Sequence, residues 1–81
     1  MENVNYREML TYIVEKLVDH PEEISINELT NEDMITLQLK VNPDDMGKVI
    51  GRQGRIAKGI RTLLKSAGLR ENKRVMVDIL D

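Results

Sequence analysis

Four residues near the middle of the chain, Gly51-Arg52-Gln53-Gly54, combine what a polyanion-binding loop needs. Glycine reaches positive φ without steric cost, so Gly51 can end one helix and turn the chain. Gly54 removes a side chain where the next helix begins. The two missing Cβ atoms let a sugar-phosphate backbone come close. The N-terminus of the following helix offers unsatisfied N–H groups and a positive dipole end to a phosphate. Arg52 supplies a cation and Gln53 a neutral donor. Lys48, Arg55 and Lys58 add positive field, while Ile50, Ile56 and Ala57 could floor a shallow groove for unstacked bases. G-x-x-G alone is weak, since a chain of this length with average glycine usage would hold roughly 0.4 such pairs by chance. Here Val49-Ile50 precede the first glycine and Ile56 follows the second, and the loop falls between two helical patterns.

Charge supports a polyanionic partner. The 81-residue chain has a net charge of -2, yet residues 48–74 carry nine basic side chains and only Glu71 as an acid, a net of +8. The remaining residues hold three basic and thirteen acidic groups, or -10. Such asymmetry points to nucleic acid; a solvated basic helix balanced by acidic neighbours is the competing explanation.

These residues need elements to position them. Tyr6, Met9, Leu10, Ile13 and Leu17 share one helical face, which predicts a helix from Tyr6 to Asp19. Asn5 can cap it, with Glu8 three residues on, and His20-Pro21 ends it. Ile24 and Ile26 begin a strand. Thr30–Asp33 reads as a turn, and Ile35, Leu37, Leu39 and Val41 alternate as a half-buried strand should. Asn42 can cap a short helix with Pro43 first and Asp44 and Asp45 as acids in its opening turn. A basic helix runs from Arg55 to Ala67 with Ile56, Ile60, Leu63, Leu64 and Ala67 on one face, and Gly68 is expected as its stop. Gly59 interrupts that face. Val75–Leu80 is the last strand. The order is α-β-β-α-α-β, an α+β fold in a single domain, 1–81.

Other chemistries find little support. With no cysteine there is neither a disulfide nor a thiolate metal site. His20, the only histidine, sits at a helix end, and no P-loop sequence is present. We therefore expect no enzyme, cofactor or metal. The chain has no Phe or Trp for a base-stacking platform, and Tyr6 reads as core. Met1–Asn5 lacks a leader pattern and no segment approaches the roughly 20 apolar residues of a membrane span. A cytoplasmic protein without membrane attachment is expected.

The stretch from Asp45 to Lys58, together with the element order, resembles the type II, bacterial form of the KH domain. The chain as a whole is similar to the stand-alone bacterial KH proteins of the KhpA (YlqC-type) family. The resemblance implies a mixed three-stranded sheet with three helices on one face. It implies a loop, Gly51 to Gly54, that clamps about four nucleotides of single-stranded RNA, and work as an RNA chaperone or post-transcriptional regulator. It further implies self-pairing, or pairing with a second KH-containing RNA-binding protein of the Jag (EloR) type. A helix-turn-helix DNA binder using residues 55–67, or a pairing module with little RNA binding of its own, stands as the alternative.

Overall fold

The computed structural model describes residues 5–81; the leader-free reading of residues 1–4 lies outside them. Helix α1 spans Tyr6–Glu15, β1 Ser25–Asn31, β2 Met34–Lys40, α2 Met46–Ile50, α3 Arg55–Leu69 and β3 Arg74–Ile79. The expected α-β-β-α-α-β order is therefore present, in a sheet of order β1-β2-β3. β1 and β2 pair antiparallel, and β2 and β3 pair parallel. β1 and β3 are thus the two edges.

One face of the sheet makes the core. Ile35, Leu37 and Leu39 of β2 and Val75 and Val77 of β3 are buried, while the residues between them face outward, as period-2 geometry demands. The helices cover the buried face with Leu10 and Val14 from α1, Val49 from α2, and Ile60 and Leu64 from α3.

Several boundaries differ from expectation for identifiable reasons. The Asn5 side chain accepts from the Glu8 N–H at 3.0 Å, so the cap is real. The helix closes at Glu15 rather than Asp19, because Lys16 and Leu17 donate to carbonyls three residues back and tighten the last turn. Its buried stripe is Tyr6, Leu10 and Val14, continued past its end by Val18; Met9, Ile13 and Leu17 are only half-buried. β1 runs on to Asn31, held by the ladder to β2, and the turn shrinks to Glu32-Asp33. Gly68 does not stop α3. It lies buried within the last turn, where a Cβ would stand 2.6 Å from Val75 Cγ2 and 2.8 Å from the Lys73 carbonyl oxygen. Close approach to β3, not backbone freedom, is what requires glycine there. Asn72, with φ 60°, makes the left-handed turn instead.

The face expected for α3 also divides. Ala57, Ile60, Leu64 and Gly68 are buried, whereas Ile56 and Leu63 are 37% and 53% exposed. The expected set spans too wide an arc for one core stripe. At 100° per residue, Ile56, Gly59 and Leu63 fall along its margin.

Candidate nucleic-acid interface

The loop is built by three left-handed residues in four. Gly51 has φ 78°, Gln53 φ 57° and Gly54 φ 74°. The two glycines are needed for different reasons. A Cβ on Gly51 would stand 2.6 Å from Ile56 Cγ1, so that glycine lets Ile56 fold back over the turn. A Cβ on Gly54 would meet nothing within 4 Å and would project into open space. Gly54 thus keeps clear the approach to the loop as well as supplying its dihedrals. Gln53 holds the conformation without being glycine, a strain on the order of 1–3 kcal/mol of the kind concentrated at ligand-binding turns. Gly54 is also the N-cap of α3 and no side chain caps that end, which leaves it open to an anion.

The expected site residues separate into four groups. Arg52, Gln53, Arg55 and Lys58 are exposed. Arg55 reaches back over the loop, its Nη2 3.4 Å from Gln53 Oε1. Ile50, Gly51 and Gly54 are partly covered, and Ile56 stands at the loop's shoulder. Ala57 is buried under α3 and floors nothing. Lys48 is paired with two acids. Its Nζ lies 3.2 Å from Asp19 Oδ2 and 3.7 Å from Asp45 Oδ1, and the bond to Asp19 raises its pKa.

Asp45 holds a role that its place in the opening turn does not reveal. It stands in the opening turn as expected, and it is fully buried there. Its carboxylate accepts from the backbone N–H of Asp19 at 3.2 Å and of His20 at 3.0 Å, and contacts His20 Nδ1 at 3.1 Å. Burial works to raise its pKa, but the hydrogen bonds from Asp19 and His20 outweigh it, and the net shift is downward. Hydrogen bonding to Asp45 in turn raises the pKa of His20. This carboxylate ties the end of α1 to the start of α2, and so fixes the helix that ends in the loop. A lone histidine and an acid pair carry no sequence signal for such a junction.

Beyond the loop a groove opens between α3 and the free edge of β3, lined by Lys58, Arg61, Lys65, Arg74, Met76 and Asp78 among others. Arg61 Nε donates to the Val77 carbonyl oxygen at 3.1 Å. The Arg74 and Leu80 N–H groups point the other way, to Asp33 and Leu39. By the alternation of a parallel ladder, the peptide groups of Val75, Val77 and Ile79 face the open edge. Sequence reasoning found the basic residues but not this wall, because the edge status of β3 is set by strand order. Glu71, the lone acid of the basic segment, is withdrawn: the Tyr6 hydroxyl donates to its Oε1 at 2.5 Å. Burial first, and then that bond, push the Tyr6 pKa up to about 12.

A mixed three-stranded sheet, three helices in this order and a glycine-bracketed turn between the second and third define the KH domain. The chain belongs to the family described as KhpA/KhpB, KH domain, which matches residues 7–79. It is 54% identical over 74 residues to the RNA-binding protein KhpA of Clostridium perfringens, covering 91% of this chain and 99% of that one. Identity to KhpA of Clostridium acetobutylicum is 55% over 74 residues, with the same coverage, and to KhpA of Borreliella burgdorferi 44% over 77 residues, covering 95% and 94%. The fold is similar to part of a crystal structure of Era from Aquifex aeolicus, with a TM-score of 0.54 and 15% identity, covering 95% of this chain and 31% of Era. Among the described residues no helix is long and apolar enough to cross a membrane, and no group of three or more His, Cys, Asp or Glu side chains is placed to hold a metal.

Proposed function

We propose that this chain acts as one KH domain that binds single-stranded RNA, with phosphates against Gly51–Gly54 and the opening of α3. The observation that carries this is the turn with three left-handed residues, leading into a groove with a basic helix on one side and the outer edge of β3 on the other. The naming of close relatives as RNA-binding proteins supports it. Binding through phosphates tolerates many sequences and suits an RNA chaperone or post-transcriptional regulator working in the cytoplasm.

Titrating labelled single-stranded RNA by fluorescence anisotropy at increasing salt tests this reading. With two to four phosphates neutralised, log K is expected to fall against log salt with a slope of roughly -1.4 to -2.8. Tighter binding of duplex DNA than of single-stranded RNA would favour the recognition-helix alternative.

Pairing, whether with a second copy or with a Jag-type protein, is assigned to the other flank of α3. Ile56 and Leu63 are exposed there, on either side of Gly59. A Cβ on Gly59 would meet nothing within 4 Å, so packing within the chain does not require a glycine at that position. At 100° per residue this apolar strip and the Lys58-Arg61-Lys65 row lie on opposite sides of the buried stripe, so pairing leaves the RNA groove free. Leu63→Asp is expected to be monomeric by light scattering at concentrations where the parent is dimeric; a dimeric Leu63→Asp would move the interface elsewhere.

A further inference from the structure

The groove between α3 and β3 holds one acid among its basic residues. We propose that Asp78 reads bases, favouring a guanine whose Watson–Crick edge faces β3; this rests on the RNA-binding reading above.

Asp78 lies on the edge strand, exposed, and lines the groove with Lys58, Arg61, Lys65 and Arg74. Its carboxylate makes no side-chain hydrogen bond or ion pair among the described residues. Its ladder neighbour Gln38 uses its amide oxygen to accept from Asn27. Arg61, across the groove on α3, is committed through Nε to the Val77 carbonyl. A free carboxylate beside a phosphate is repulsive, so the two walls take different parts of the strand. The sugar-phosphate backbone follows the row of cations on α3, and base edges turn toward β3.

A carboxylate can only accept hydrogen bonds. Guanine offers it a ring N–H and an exocyclic amine side by side, a bidentate match. Cytosine and adenine each offer one exocyclic amine. Uracil offers a single ring N–H between two carbonyl oxygens, both of which repel the carboxylate. The order expected at the base facing Asp78 is therefore guanine first and uracil last, while the phosphate contacts stay indifferent to sequence.

The test compares a seven-nucleotide oligouridylate with the same oligomer carrying one guanine, moved through each position in turn. Anisotropy gives the affinity ratio at the best position for the parent, Asp78→Asn and Asp78→Glu. The parent is expected to favour the guanine oligomer by roughly tenfold, the discrimination typical of a bidentate base contact. Asp78→Asn should bring the ratio close to one, and Asp78→Glu should recover part of it. An Asp78→Asn variant that strengthens both oligomers equally, with the ratio kept, would overturn the proposal and leave Asp78 as charge alone. A parent with no guanine preference would overturn it too. A parent that binds neither oligomer would instead bring down the RNA-binding reading itself.

Discussion

Replacing Arg52 and Gln53 together by Asp is expected to weaken single-stranded RNA binding by roughly a hundredfold or more, with the fold intact. The change removes one cation and adds two anions where the phosphates are placed. Each unit charge at contact distance is worth about 1 kcal/mol even at the dielectric of water, so three units exceed a hundredfold. Stability should hold for two reasons. Both side chains are exposed, and surface changes of that kind usually stay within about 0.5 kcal/mol. Asp is also among the few residues that accept the left-handed conformation at position 53. Circular dichroism and thermal melting would establish the fold, and anisotropy the affinity. Unchanged binding by a folded double variant would mean that the RNA does not use the loop.

The largest loss of stability is expected from Asp45→Ala. The substitution leaves the Asp19 and His20 N–H groups without their acceptor and removes the anion paired with His20 and Lys48. Depriving covered backbone donors of their acceptor costs roughly 1–3 kcal/mol, a large share of the 5–15 kcal/mol typical of a domain. Urea denaturation measures it, and a loss below about 1 kcal/mol would show that the junction is not held by this carboxylate. The same cluster gives stability a pH dependence. Asp45 titrates below its unfolded value, so its contribution is present above about pH 4 and fades as pH falls through the depressed pKa. His20 titrates above its unfolded value of about 6.5. Its contribution is complete below that pH and fades as pH rises through the raised pKa. The cluster is therefore strongest at mildly acid pH, and His20→Gln should remove the limb that begins near neutral pH.

How much of this was legible in the sequence depends on how local each cause is. The Asn5 cap, the alternation of Ile35, Leu37 and Leu39, and the glycines of the loop are set by residues within a few positions of one another, and each is present as expected. The role of Asp45 depends on α1 ending beside α2, 25 residues away from His20, and no window along the chain contains that. Gly68 reads as a helix stop because its actual neighbour, Val75, arrives only when β3 packs. Lys48 counts as a cation in any tally of charge, although Asp19 and Asp45 hold it. The wall of the groove was hidden for the same reason: a strand's pattern shows which side chains are buried, not which peptide groups lack a neighbour.

The position of the RNA is read most directly by titrating the isotope-labelled protein with a short single-stranded RNA and following each backbone amide by NMR. The amides of Gly51 to Lys58, of Arg61 and Lys65, and of the β3 edge at Val75 and Val77 should shift together and saturate at one affinity. Shifts confined to α1 and β1, with Gly51–Gly54 unmoved, would contradict the assignment of the glycine loop as the RNA clamp.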